Sequence, residues 1–176
     1  MSKVAVVFWS GTGNTEAMAN KVADGAKAAG AEVQVLTPET FDAAKMDEFD
    51  AVAFGCPAMG AEELEETEFA PMFEACESKL SGKKIALFGS YGWGDGEWMR
   101  LWEETCKNDG AVLACESVMA NETPDAEAEA ACEEMCIRDR VWGLRKPMSL
   151  RSVRDSGMCA VRMGFFRFLC LRYRTF

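Results

Sequence analysis

The chain has 176 residues, 49% hydrophobic and 27% charged, with 29 acidic against 19 basic residues and no histidine, which fits one soluble globular domain with a sizeable core. The missing imidazole excludes a Ser-His-Asp triad, a histidine base and a His-ligated zinc. A net charge of −10 argues against nucleic acid, whose phosphates need a Lys/Arg surface, and suits basic protein partners.

The first apolar run, residues 4–8, is too short for a signal peptide and lacks a cleavage site, so a cytoplasmic protein is expected. No run reaches the roughly 20 apolar residues of a spanning helix. In chain order, short apolar runs predict strands over residues 3–8, 31–36, 51–55, 84–89 and 111–119, and the patterns between them predict helices over 15–29, 63–80 and 97–109. Gly30, Gly82 and Gly110 read as C-terminal stops. A last helix is expected to open near Pro124, in the first-turn position that proline favours. Strands alternating with helices make one α/β domain, a doubly wound five-stranded parallel sheet with helices on both faces. Ligands bind such sheets outside the carboxyl ends of the strands, which directs attention to the loops after Phe8, Gly55, Gly89 and Met119. Cys56, Cys76, Cys106, Cys115 and Cys132 sit at core-like positions with no C-x-x-C pair, the pattern of buried free thiols.

In the first of these loops, Ser10, Gly11, Thr12, Gly13, Asn14 and Thr15 stand between a strand and a helix. Their N–H groups and hydroxyls can surround an anion at the positive end of the helix dipole. No Gly-Lys-Ser/Thr follows, so this is not a Walker loop, and Glu16 stands where a dinucleotide fingerprint needs its third glycine. Hydroxyls without Lys or Arg suit a terminal phosphate bound as a dianion by hydrogen bonds. The plain alternative is a capped helix start after a glycine turn.

The segments 9–19, 55–64 and 89–98 resemble the three flavin mononucleotide (FMN) loops of short-chain flavodoxins. The resemblance covers residues 1 to about 134 in order and spacing. It implies the strand order 2-1-3-4-5, non-covalently bound FMN, and site residues in three loops. Long-chain members carry an insertion in the last strand, for which 111–119 has no room.

By this resemblance Ala58, Met59, Gly60, Ala61 and Glu62 form the loop at the ring. The Gly60 carbonyl would accept the flavin N5–H after a peptide flip, and Glu62 would accept from N3–H. Trp93, set among Gly92, Gly94 and Asp95, would stack on one ring face with Met59 on the other. Ser90, beside Tyr91, would reach the phosphate. Trp98 and Trp102, four apart on a helix, read as core instead.

The resemblance implies a low-potential one-electron carrier working through a stabilised neutral semiquinone, with no substrate turnover of its own. Glu62, Glu63, Glu65, Glu66 and Asp95 beside a phosphate would lower the potential and steer redox partners with basic docking surfaces, reductases and oxidoreductases of the ferredoxin-using type. A monomer is expected. The alternative is a small FMN-dependent quinone or azo reductase, which needs a nicotinamide-accepting pocket beside the ring.

The tail departs from all of this. Residues 1–134 hold 27 Asp+Glu and 9 Lys+Arg (27 − 9 = 18 negative), whereas 135–176 hold 2 and 10 (10 − 2 = 8 positive). Residues 135–140, Met-Cys-Ile-Arg-Asp-Arg, resemble a translated sequencing-library adaptor. The domain is therefore expected to span 1–134, with 135–176 a non-native or disordered basic tail. A basic amphipathic anchor around residues 163–174 is the rival reading.

Overall fold

The computed structural model describes residues 2–135. The adaptor-like tail beyond Met135 lies outside the described residues. Strands β1 (Lys3–Phe8), β2 (Glu32–Leu36), β3 (Ala51–Gly55) and β4 (Lys84–Tyr91) pair in parallel in the order β2-β1-β3-β4. Helices α1 (Asn14–Ala28), α2 (Phe69–Glu77), α3 (Glu97–Asn108) and α4 (Ala126–Glu134) cover the sheet.

The side-chain alternation of strands sorts the core into two layers. Val4, Val6, Ala51, Ala53, Ala86 and Phe88 pack with Met18, Val22 and Cys132 of α1 and α4. Ala5, Val7, Val52, Phe54, Ile85 and Leu87 face Phe69, Phe73, Trp98 and Trp102 of α2 and α3. Each large side chain so buried contributes roughly 1.5–3 kcal/mol. Phe54 anchors the second layer, with Phe41 and Phe73 edge-on at centroid distances of 6.0 and 5.2 Å. Trp98 and Trp102 are core, as their spacing predicts.

Three elements differ from the sequence expectation. The fifth strand is two short ones, β5 (Val112–Leu113) and β6 (Val118–Asn121), both parallel to β4. Lys84 faces Val112, an offset of 28, and Phe88 faces Val118, an offset of 30, so the edge carries two extra residues at this point. The helix expected over 63–80 is confined to Phe69–Glu77. Pro71 has no N–H and its ring would clash with the carbonyl of residue 67 in a longer helix. The last helix starts after Asp125, whose Oδ1 accepts the Ala128 N–H at 2.8 Å, so Pro124 lies before the cap and not in the first turn. Met135, assigned to the tail by composition, is buried in the layer between α1, α4 and the sheet.

Candidate functional site

The carboxyl ends of β1, β3 and β4 bring the three loops together. Pairing continues past the strands: Cys56 N–H donates to Phe88 O at 3.1 Å and Ala58 N–H to Ser90 O at 2.9 Å. Gly89 is required here, because a Cβ at this position would lie 2.1 Å from the Cys56 carbonyl oxygen.

In the first loop the Ser10 hydroxyl accepts the Gly13 N–H at 3.0 Å and shapes the turn. Gly13, at φ 90°, starts α1 in a left-handed conformation and has no side chain with which to cap it. Thr15 and Ser90 are buried with their hydroxyl oxygens 3.0 Å apart, so two residues 75 positions apart meet beneath the loop. Thr12 is exposed and Asn14 half-buried.

The other helix starts are occupied differently. Glu62 Oε1 accepts from the N–H groups of Asp95, Gly96 and Glu97 at 3.1, 2.9 and 3.2 Å and so caps α3 from a distant loop. Glu65 accepts the amides of Thr67, Glu68 and Phe69 at 2.8–2.9 Å and caps α2. Asp125 caps α4. Among the four α-helices of the described residues, α1 is the one whose first-turn amides are bonded by no carboxylate; Glu16 of that turn is exposed, and the helix opens beside the hydroxyls of Ser10, Thr12 and Thr15. A helix end with open amides and neutral donors fits a dianionic phosphate.

The loops after β3 and β4 are held to each other. Met59 and Glu63 exchange backbone bonds of 2.8 and 2.9 Å around Gly60, which has φ 50°. The Gly60 carbonyl accepts the Trp93 indole N–H at 3.2 Å. Trp93 is 52% exposed in a loop with Gly92, Gly94 and Asp95 also exposed, whereas Ala58 is buried and Ala61 exposed. Tyr91 packs on Trp98 at 5.5 Å. The residues expected from sequence to hold phosphate and ring therefore share the carboxyl end of the sheet.

The model of the flavodoxin family matches residues 6–135. The chain belongs to the flavodoxin family. Flavodoxins bind FMN and carry electrons, and FMN is the cofactor here. The chain is 46% identical over 132 residues to the flavodoxin of Megasphaera elsdenii, covering 75% of this chain and 94% of that one. It is 46% identical over 129 residues to the flavodoxin of Clostridium beijerinckii, with 73% and 93% covered. A solution structure of the two-electron reduced Megasphaera elsdenii flavodoxin superposes with a TM-score of 0.70 at 46% identity, covering 76% of this chain and 96% of that one. The fold class and strand order expected from sequence agree with these matches.

Several contacts at the site escaped the sequence reading. Trp9 donates its indole N–H to Glu68 Oε2 at 2.9 Å, tying the loop after β1 to the loop after β3. Glu65 is buried; its burial raises the carboxyl pKa, but the Thr67 hydroxyl and the amides of Phe69, Glu68 and Thr67 outweigh it and hold the group below its ordinary value. A carboxylate four residues before an apolar run with an early proline was the available signal. Asp95 is paired with Arg100 at 2.7 Å, and its hydrogen bond raises the Arg100 pKa. Three of the five acids expected to bear on the ring, Glu62, Glu65 and Asp95, thus have a carboxylate oxygen engaged by the chain itself. Burial pushes the Cys56 thiol up to about 12, so it stays protonated at neutral pH. Among the described residues no helix is long and apolar enough to cross a membrane.

Proposed function

We propose that the protein is a low-potential one-electron carrier that shuttles electrons between redox enzymes and turns over no substrate of its own. Bound FMN supplies the redox centre, with a stabilised neutral semiquinone as the working form. The observation that carries this is the open amide end of α1 among the Ser10, Thr12, Thr15 and Ser90 hydroxyls, next to a ring site made by two loops.

In this reading the hydroxyls and the first-turn amides hold the terminal phosphate, and no cation is needed. Met59 and Trp93 cover the two ring faces and exclude water. Gly60 offers its carbonyl to N5–H in place of the Trp93 indole. Three amides converge on Glu62 Oε1, which leaves the bond from N3–H to Oε2. Glu62, Glu63 and Glu66 disfavour a second negative charge in the site and lower the potential of the last electron. The same acids steer basic docking surfaces of reductases and oxidoreductases of the ferredoxin-using type. The carrier works as a cytoplasmic monomer through the domain that ends in the buried Met135, with the basic tail after it a non-native addition.

A reductive titration of the full chain tests the proposal. A blue neutral species should build up before full reduction, and NADPH alone should not be oxidised. Direct two-electron bleaching with steady NADPH consumption would make the protein a reductase.

A further inference from the structure

A second feature of the surface lies beside the ring loops, between α2 and α3. There a groove of about 310 Å³ is floored by Phe73 and Trp102 and walled by Leu64 and Ala70. The buried stripe of α3 is Trp98, Met99, Trp102 and Cys106. Leu101 falls off that stripe and stands 53% exposed at the groove. With the half-buried Leu64 and Ala70 it makes the accessible apolar face of the hollow, and a contiguous apolar face rimmed by polar residues marks a contact surface, which a single exposed leucine would not.

The rim is acidic. Glu63, Glu66 and Glu74 are exposed around the hollow, Glu77 is half-buried, and none of the bordering residues is basic. Burial, Asp109 and Glu74 push the Glu77 carboxyl pKa up, a sign of carboxylates crowded without cations. An apolar recess ringed by one sign of charge selects an occupant with an apolar knob and flanking charges of the other sign. Anionic lipid is disfavoured by the same rim.

The groove is also continuous with the ring site. Glu62 borders it and caps the helix behind Trp93. Trp98 borders it and donates to the Cys56 carbonyl at 3.3 Å, where the loop after β3 begins. A partner seated here would therefore lie alongside the exposed indole.

We propose that the α2–α3 groove is the anchor point of the redox partner and takes an aliphatic side chain from a lysine- or arginine-rich helical segment. This rests on the carrier reading. Long-range attraction by the acids brings the partner in, and the apolar knob fixes its register, which charge alone does poorly.

The test uses the full chain loaded with FMN and two labelled helical peptides of equal positive charge. One has leucine at i and i+4, and the other has serine at those places. The leucine peptide should bind about tenfold tighter. Leu101→Glu should remove that preference, and Glu74→Lys should weaken both peptides. Neither substitution should change the flavin spectrum or the course of reductive titration. Equal affinity for the two peptides overturns the groove as an anchor, as does a preference that survives Leu101→Glu. If the leucine peptide binds only after residues 136–176 are trimmed, the occupant is the chain's own basic tail and the partner proposal is wrong. Loss of FMN binding or of one-electron behaviour in the parent would instead overturn the carrier reading, whatever the peptides do.

Discussion

Helices α1 and α3 start alike and end up with different chemistry. Both follow a left-handed glycine, Gly13 at φ 90° and Gly96 at φ 88°, and neither glycine can cap its helix. At α3 the carboxylate of Glu62 fills the amide end from 34 residues away. At α1 no carboxylate bonds the end amides, Glu16 of the first turn being exposed, and the loop before them carries hydroxyls. Two identical backbone devices thereby differ: one anion site is satisfied by the chain itself, and the other is open to the phosphate that the proposed carrier would bind. The loop after β3 supplies the carboxylates for both α2 and α3, so the segment proposed to face the ring also stabilises the helices behind it.

The strongest way to break this comparison is at α1. Replacing Thr12 and Thr15 by valine removes two hydroxyls that can bond a dianion, each worth about 1.5 kcal/mol. FMN affinity should fall about a hundredfold while riboflavin affinity changes little. Fluorescence titration with both flavins measures this, and equal losses would show that the phosphate is held elsewhere. Thr15→Ser alone keeps both hydroxyls and the contact with Ser90 and should retain most of the FMN affinity.

The next effect is at α3. Glu62→Ala leaves three amides without their charged acceptor and should lower stability by about 2 kcal/mol, read from the urea midpoint of the flavin-free protein. Added sulfate should recover part of the loss, because an opened helix end becomes an anion site like that of α1. No recovery would mean that geometry, and not the missing carboxylate, sets α3 apart. Gly94→Ala should act in the same direction, since its Cβ would lie 2.2 Å from the Glu62 carboxyl carbon.

The split between the two helices also marks what a sequence can reveal. The hydroxyl loop before α1 was legible because its residues are contiguous and sit at a strand–helix junction. The caps of α3 and the Thr15–Ser90 pair were not, because the fold brings together residues that no local pattern connects. Residues 63–68, rich in glutamate, read as the start of a helix from their pattern. Glu65 instead caps α2 from in front of it and Glu68 takes the Trp9 indole N–H, while Pro71 enforces the delay. The last strand was legible as one run of apolar residues, whereas the two-residue excess at its centre appears only in the register against β4.

A smaller effect separates the glycines themselves. Gly13→Ala and Gly96→Ala each place a Cβ in the left-handed region, at roughly 1–2 kcal/mol. At Gly13 nothing lies within 4 Å of that Cβ, and at Gly96 it meets the flexible end of Met119 at 2.8 Å. Both variants should lose similar stability in urea, but only Gly13→Ala should also weaken FMN. If Gly96→Ala weakens FMN as much, the two helix ends are not functionally divided.

The smallest effect is expected from α2, whose cap is local. Glu65 is buried, which raises its pKa, yet the bonds it accepts from the Thr67 hydroxyl and from three amides bring the pKa below the ordinary 4.5 in the folded protein. A folded-state pKa below the unfolded one gives stability that is fully present above pH 4.5 and is lost as the pH falls through the lowered value. The parent should therefore lose this part of its stability only in acid, below about pH 4.5. Glu65→Gln keeps an amide oxygen for the α2 amides but has no proton to take up, so it should be less stable than the parent at pH 7 and the gap should close on acidification. Urea midpoints at several pH values decide it. A gap that stays constant down to acid would show that Glu65 acts through packing, and that the carboxylate charge at α2 does not do what the one at α3 does.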